Sequence, residues 1–284
     1  MDIGICSYSF HRALASGKQD VFGFITACQE LGCTQLDPWN AHLAVIKQGD
    51  AQPAPEWALS AEENAYLDRV EAAADESGLP WGTLAVDGAH IYDADESVRA
   101  ANRARAYRWL EVADRLGCEQ VRIDAGGPEE MPDDVFAVIV EGYNDVIARA
   151  KDKGIEIITE NHFGPSRIPA NVERMMNEIE GLGFLYDTHN WKPELLAEGR
   201  QRTAKYATAT HVKTFEWDEQ GNEVGGGTPD EAIRLLLDAG YAGAWGIESV
   251  PKDGDEMDGA RKTVALIRRS IVNVPAGAAA SVGR

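Results

Sequence analysis

Short apolar runs alternate along the whole chain with longer stretches of helical periodicity. The runs Ile3–Ser9, Thr34–Pro38, Trp81–Val86, Gln120–Asp124, Glu156–Glu160, Phe184–Asp187, Thr210–Lys213 and Trp245–Glu248 are rich in β-forming residues and predict strands. Between them, Val21–Leu31, Glu62–Ser77, Ser97–Leu116, Asp133–Lys153 and Pro229–Ala239 read as amphipathic helices. Over Ser97–Leu116, for example, Ala101, Ala104, Trp109, Val112, Ala113 and Leu116 fall near one face, with Arg and Glu on the other. Asp95, Asp133 and Thr228-Pro229 are helix-start signals. Glycine follows the helices at Leu31-Gly32-Cys33, Leu116-Gly117-Cys118, Lys153-Gly154-Ile155 and Ala239-Gly240-Tyr241, where a left-handed residue ends a helix before the next strand. A weaker helix over about 191–207 ends without one.

Eight short strands alternating with helices predict a parallel sheet covered by helices, and eight strands suffice to close a barrel. The expected fold is α/β, a single (β/α)8 TIM barrel over residues 1–274. A long loop follows the second strand at 39–60, where Pro53 and Pro55 lie, and a flexible Ala/Gly/Ser-rich tail covers 275–284. The length of 284 residues suits this fold, for which about 250 is typical. An open doubly wound sheet is the rival. The first strand, however, runs into Cys6-Ser7-Tyr8-Ser9-Phe10-His11 in place of a glycine-rich dinucleotide turn.

Composition narrows the function. No stretch approaches the roughly 18 apolar residues of a membrane span, and Met1-Asp2-Ile3-Gly4-Ile5 has no basic region before an apolar run, so a cytoplasmic protein is expected. With 27 basic against 47 acidic residues the formal charge is −20, which repels phosphate backbones and disfavours nucleic acid as a partner. Cys6, Cys28, Cys33 and Cys118 lack zinc-knuckle spacing and are expected to be buried, reduced thiols.

The polar residues gather where a barrel keeps its active site, at the carboxyl ends of its strands. The fifth strand ends in Thr159-Glu160-Asn161-His162 and the sixth in Tyr186-Asp187-Thr188-His189-Asn190. The seventh reads Thr210-His211-Val212-Lys213 and the eighth Gly246-Ile247-Glu248-Ser249. Because side chains alternate, placing Glu160, Asp187, His211 and Glu248 inward also brings His162, His189 and Lys213 toward the mouth. Three carboxylates and an imidazole around one cavity repel unless a cation joins them. Such a donor set suits one divalent ion, with Mn²⁺ taken first and Mg²⁺, Co²⁺ or Zn²⁺ as alternatives. His11, Trp39, His90 and Asp124 are expected to complete the mouth as substrate-binding residues, with Trp191 or Trp217 as further aromatic candidates. Gly225-Gly226-Gly227 precedes a helix without a companion Lys, although a helix start there can accept an anion.

From Ile3 to Ile271 the chain resembles the xylose-isomerase-like barrel superfamily, specifically its sugar phosphate isomerase/epimerase group. The resemblance rests on Ser7-Tyr8-Ser9-Phe10, Leu31-Gly32, Val121-Arg122 before Gly126, Glu160-Asn161-His162, Asp187-Thr188, His211-Val212-Lys213, and Gly240-Tyr241 leading to Ile247-Glu248. It implies that Glu160, Asp187, His211 and Glu248 hold the metal. It also implies that Glu160 and Glu248 exchange the base and acid roles in moving a proton beside a carbonyl, through a metal-stabilised enediolate. Lys213 and His189 are then expected to contact substrate oxygens or polarise the carbonyl, with His162 binding substrate or orienting Glu160. The chain departs from the group's ketose 3-epimerases in three places. Asp37 stands where Glu is common near the end of the second strand, His189 follows Asp187 by two residues rather than three, and Lys213 replaces an Arg. Asp37 is nonetheless kept among the expected substrate-binding residues.

The expected activity is therefore a divalent-metal-dependent sugar isomerase or epimerase acting on a small sugar or keto-sugar. The alternative is a lyase or dehydratase that eliminates a β-leaving group from a keto-inositol or 3-keto-glycoside using the same base and metal. The DNA-repair branch of the same barrel is disfavoured by the negative charge, and a metal-free sugar-binding barrel by the intact ligand set. Assembly into a homo-oligomer is an expectation by analogy alone.

Overall fold

The computed structural model describes residues 1–43 and 58–272. Seven strands form one parallel sheet: β1 (Ile3–Ile5), β2 (Thr83–Val86), β3 (Gln120–Ile123), β4 (Glu156–Glu160), β5 (Gly183–Asp187), β6 (Ala207–Thr214) and β7 (Trp245–Ser249). Their order is β1-β7-β6-β5-β4-β3-β2. The second predicted strand, Thr34–Pro38, is present as an extended segment rather than a full strand. It spans the gap between the sheet's two edges through parallel bridges Cys6↔Asp37, Leu36↔Trp81 and Trp39↔Ala85. Pro38 lacks an N–H and interrupts the ladder at this point, so pairing is limited to isolated bonds such as Leu36 N–H to the Pro80 carbonyl at 2.9 Å. The first strand is also shorter than predicted, because Ser7–Phe10 turns into a 3₁₀ helix that continues as the single α-turn His11–Ala15.

Eight longer helices are described: α1 (Val21–Glu30), α2 (Ala61–Ser77), α3 (Glu96–Leu116), α4 (Asp133–Lys151), α5 (Pro169–Glu178), α6 (Leu196–Thr203), α7 (Pro229–Asp238) and α8 (Glu256–Val272). Of the predicted start signals Asp95 caps its helix, whereas Asp133 lies inside α4 after Pro132 and Thr228 makes no side-chain cap bond. Asp95 accepts the Ser97 N–H at the start of α3, and Gly117 ends that helix at φ 74°. At α2, Ser60 and Glu63 form a reciprocal capping box. The weak helix expected over about 191–207 is broken into the 3₁₀ turns Pro193–Leu195 and Ala204–Tyr206 flanking α6. Most of the loop predicted at 39–60 and all of the tail predicted at 275–284 lie outside the described residues.

Strand alternation divides the core in two. Val121, Ile123, Phe184, Tyr186, Val212 and Ile247 point outward and pack against the helices in one large apolar cluster. Ile158, Leu185 and Ala209, on the opposite parity, form a small separate cluster inside the barrel. The same parity, continued toward the carboxyl ends, carries Glu160, Asp187 and His211. The apolar layer thus forms the floor on which the polar groups stand.

Candidate metal and substrate site

Glu160 closes β4, Asp187 closes β5, His211 and Lys213 stand on β6, and Glu248 stands on β7. All five side chains are buried. Donor atoms of Glu160, Asp187, His211 and Glu248 all lie within 4.8 Å of one another. His211 Nδ1 is 3.3 Å from Glu160 Oε1 and 3.1 Å from Glu248 Oε2. Lys213 Nζ lies 2.7 Å from Glu248 Oε1 and 3.5 Å from Asp187 Oδ2.

The surrounding hydrogen bonds orient these carboxylates. Asp187 Oδ1 accepts the N–H groups of His189 and Asn190 at 2.6 and 2.8 Å. Asn161 brackets the Asp187 backbone, donating to its carbonyl at 2.9 Å and accepting its N–H at 2.8 Å. Asn190 donates to Glu160 Oε1 at 3.2 Å and accepts from Lys213 at 2.9 Å. Asp187 Oδ2 and Glu160 Oε2 remain buried without a hydrogen-bond partner among the described residues. These two buried oxygens are faced by Lys213 at 3.5 Å and Arg122 at 3.2 Å but accept no hydrogen bond, and beside an imidazole and a third carboxylate they fit a divalent cation of intermediate hardness.

The electrostatics are tightly balanced. Burial disfavours the charge of Glu248, but Lys213 and His211 hold its carboxyl well below the usual carboxylate range. Burial likewise opposes ionisation of Glu160, and His162, His211 and Arg122 hold it low. Asp187 differs: burial pushes it up, Glu248 and Glu160 add to that rise, and Lys213 and His211 offset it only in part. Burial works against the His211 cation, yet Glu160 and Cys6 raise it well above an ordinary histidine. Lys213 resists burial because Asp187, Glu248 and Glu160 raise it.

A second group adjoins the first through Glu160. His162 Nδ1 lies 3.1 Å from Asp124 Oδ2 and 3.8 Å from Glu160 Oε2. Arg122, buried on β3, sits 2.9 Å from both Asp124 Oδ2 and Asp87 Oδ1, and its Nε is 3.2 Å from Glu160 Oε2. Burial opposes ionisation of Asp124, and Arg122 and His162 hold it down to about 2. Trp39 joins the same network, donating Nε1–H to Asp87 Oδ2 at 2.8 Å.

The remaining predicted residues divide. His11 is at the rim beyond β1, stacked on Tyr8 at 4.5 Å and donating Nδ1–H to the Tyr8 carbonyl at 2.8 Å. His90 is 6.0 Å, ring to ring, from the exposed Phe163. His189 is half-buried, its ring 4.8 Å from that of Phe215; burial, Lys213 and Arg200 push it below an ordinary histidine. Asp37 does not reach the mouth. Its Oδ1 accepts the Thr83 N–H at 2.9 Å and Gln35 Nε2–H at 2.8 Å, on the wall of a cavity of about 110 Å³ at the amino-terminal end of the barrel. The reason is height: Asp37 shares its parity with Trp39, the residue that does reach the upper network, but lies two residues earlier and so one layer lower in the barrel. Trp191 also departs from expectation, packing in the core against Gly199 and Phe184. Trp217 is partly buried against the same core.

Sequence reasoning missed Arg122, Asn161 and Asn190 as site residues. Arg122 carried a readable signal, since it shares strand parity with Asp124 and a buried cation in a barrel strand needs inward partners. The two asparagines adjoin or nearly adjoin predicted ligands but are neutral, so nothing in their residue type singled them out.

The family model for the xylose isomerase-like TIM barrel matches residues 25–270. The chain belongs to that family. Among solved structures of its fold, the E. coli 3-keto-D-glucoside 4-epimerase is 17% identical, with a TM-score of 0.66 over 88% of this chain and 95% of that one. The D-allulose 3-epimerase of Methylomonas sp. is 14% identical, with a TM-score of 0.70 over 95% and 98%. A xylose isomerase-like barrel protein of Mycobacterium smegmatis in complex with magnesium is 16% identical, with a TM-score of 0.67 over 95% and 96%. At these identities the likeness is one of fold. No curated protein sequence matches the chain significantly. Among the described residues, no helix is long and apolar enough to cross a membrane.

Proposed function

We propose that the protein is a divalent-metal-dependent sugar isomerase or epimerase that moves a proton on the carbon beside a carbonyl. The observation that carries this reading is the convergence of Glu160, Asp187, His211 and Glu248 donors within 4.8 Å of one another at the carboxyl ends of β4–β7. These four side chains would hold the cation, which when bound supplies electrophilic stabilisation of the oxyanion that develops next to the carbonyl. Glu160 and Glu248, both kept ionised by neighbouring cations, are suited to take the proton on one side and return it on the other. Lys213, 2.7 Å from Glu248 and hydrogen-bonded to Asn190, orients Glu248 and presents an ammonium to substrate oxygens. His162, anchored to Asp124, and the half-buried His189 offer donors on either side of the cleft. His11, Trp39 and His90 line the rim, where an aromatic face suits the C–H faces of a sugar. Mn²⁺ is the first ion to try, and Mg²⁺, Co²⁺ and Zn²⁺ complete the set.

The test is turnover of a panel of sugars and keto-sugars in D₂O, after chelation and after return of each ion. Deuterium in recovered and isomerised sugar with no eliminated product is the expected result. A β-elimination product would reassign the protein to the lyase reading, and chelator-insensitive turnover would remove the metal from either.

A further inference from the structure

The glycine-rich turn between β6 and α7 has the form of an anion cradle, but the chain fills it with a side chain of its own. Oε1 of Glu223 accepts the N–H groups of Phe215 at 3.2 Å and Gly225 at 2.9 Å. Oε2 accepts the N–H of Gly227 at 2.9 Å. Three main-chain donors converging on one carboxylate, just ahead of the ten-residue helix Pro229–Asp238, form the backbone arrangement that holds phosphate groups elsewhere. The turn is built for close approach. A Cβ on Gly225 would lie 2.6 Å from Glu223 Oε1, and Gly226 adopts φ 99°. Thr228 completes it at φ 36°, a left-handed conformation that costs a non-glycine residue strain. The buried guanidinium of Arg200 stands behind the turn. It bonds the Gly227 carbonyl and Thr228 Oγ1, and reaches the Thr188 carbonyl next to Asp187.

Position makes this relevant to the substrate. Counting the extended segment at 34–39, β6 is the seventh strand of the barrel, and the turns after strands seven and eight are where TIM barrels commonly bind substrate phosphate. A Cβ on Gly227 would lie 2.9 Å from the carbonyl oxygen of Lys213, and the Phe215 ring contacts His189. Glu223 is also close enough for its charge to act on His189. The cradle therefore adjoins the candidate sugar site.

We infer that Glu223 is a specificity-determining residue that occupies the phosphate cradle from within and restricts this site to sugars without a phosphate group at that end. Its carboxylate satisfies the amides a phosphate would use, and its negative charge repels an incoming one. This rests on the reading of the adjoining site as a sugar site, but its test does not depend on turnover. Inorganic phosphate is titrated into the full-length protein, with and without Mg²⁺, while the Gly225 and Gly227 amide resonances are followed by NMR. In the unaltered protein these resonances should stay in place through millimolar phosphate, whereas in Glu223→Ala they should move saturably. Movement in the unaltered protein, or none in the variant, overturns the proposal. If the alanine variant does not fold, Glu223→Gln removes the charge and one acceptor at nearly constant size and is read by the same criteria. Loss of the isomerase reading would leave these amide shifts unchanged, so the two failures are distinguishable.

Discussion

The guanidinium Nε of Arg122 lies 3.2 Å from Oε2 of Glu160, with both side chains buried. This contact ties the candidate base on β4 to a cation on β3 that also faces Asp87 and Asp124. Burial works against the Arg122 charge, but these three carboxylates raise it well above an ordinary arginine.

Removing that cation leaves buried Asp124 and Glu160 with only the imidazoles of His162 and His211 to offset their charge. Arg122→Met is expected to lower stability by about 3–5 kcal/mol, the usual cost of breaking a buried pair from one side. Denaturant unfolding measures it. A loss under about 1 kcal/mol would mean that water or rearrangement replaces the arginine with little penalty.

Glu160→Gln and Glu248→Gln retain side-chain volume and remove the charge needed for proton transfer. Each should reduce kcat by about 10²–10⁴-fold, with a far-UV circular dichroism spectrum like that of the unaltered protein. Turnover at the original rate in either variant contradicts its assignment as a proton carrier.

A cation bound only by the folded site should stabilise the fold by mass action. Mn²⁺ at one hundred times its Kd should add about 2.7 kcal/mol, read as a rise in Tm. Asp187→Ala and His211→Ala should abolish that rise. An equal rise in either variant would place the ion elsewhere on this acidic surface.

His42, behind Trp39 and outside the group of four candidate ligands, offers a pH test. Its ring is buried, with Nδ1 3.1 Å from Ser7 Oγ and Nε2 without a partner among the described residues. Burial pushes it down to about 4. In the unfolded chain it takes a proton near pH 6.5, so between pH 6.5 and 4 the unfolded state binds more protons than the native one. Stability should fall as pH drops through that window and His42 should add no further slope below it, for a contribution of about 3 kcal/mol at most. His42→Gln should flatten this arm of the profile. An unchanged slope would assign the acid sensitivity to other groups.

How legible the site was depended on what each residue does. Glu160, Asp187, His211 and Glu248 could be found from sequence because a strand's two-residue period and its carboxyl end are both visible there, and inward charge at that height has few other uses. Asp37 satisfied the same residue-type rule and failed it in space. One layer of depth along the 34–39 segment, which bridges the two edges of the sheet, turns a mouth residue into a wall residue. Trp191 shows the same limit, since an aromatic ring suits a sugar cleft and a helix interface equally well. Glu223 was unreadable in advance because its role depends on a turn that folds back over its own carboxylate.

By itself the amino-acid sequence determined the alternation of strand and helix, the glycine and cap punctuation, the inward parity and the family. These follow from local periodicity and stereochemistry, which act over a few residues. Tertiary structure alone decided that the segment at 34–39 pairs through isolated bridges, that Arg122 supplies the cation beside Glu160, and which polar residues stand at the height of the site. Those outcomes depend on distances between elements far apart in the chain, and such distances are set by the packing of the whole barrel.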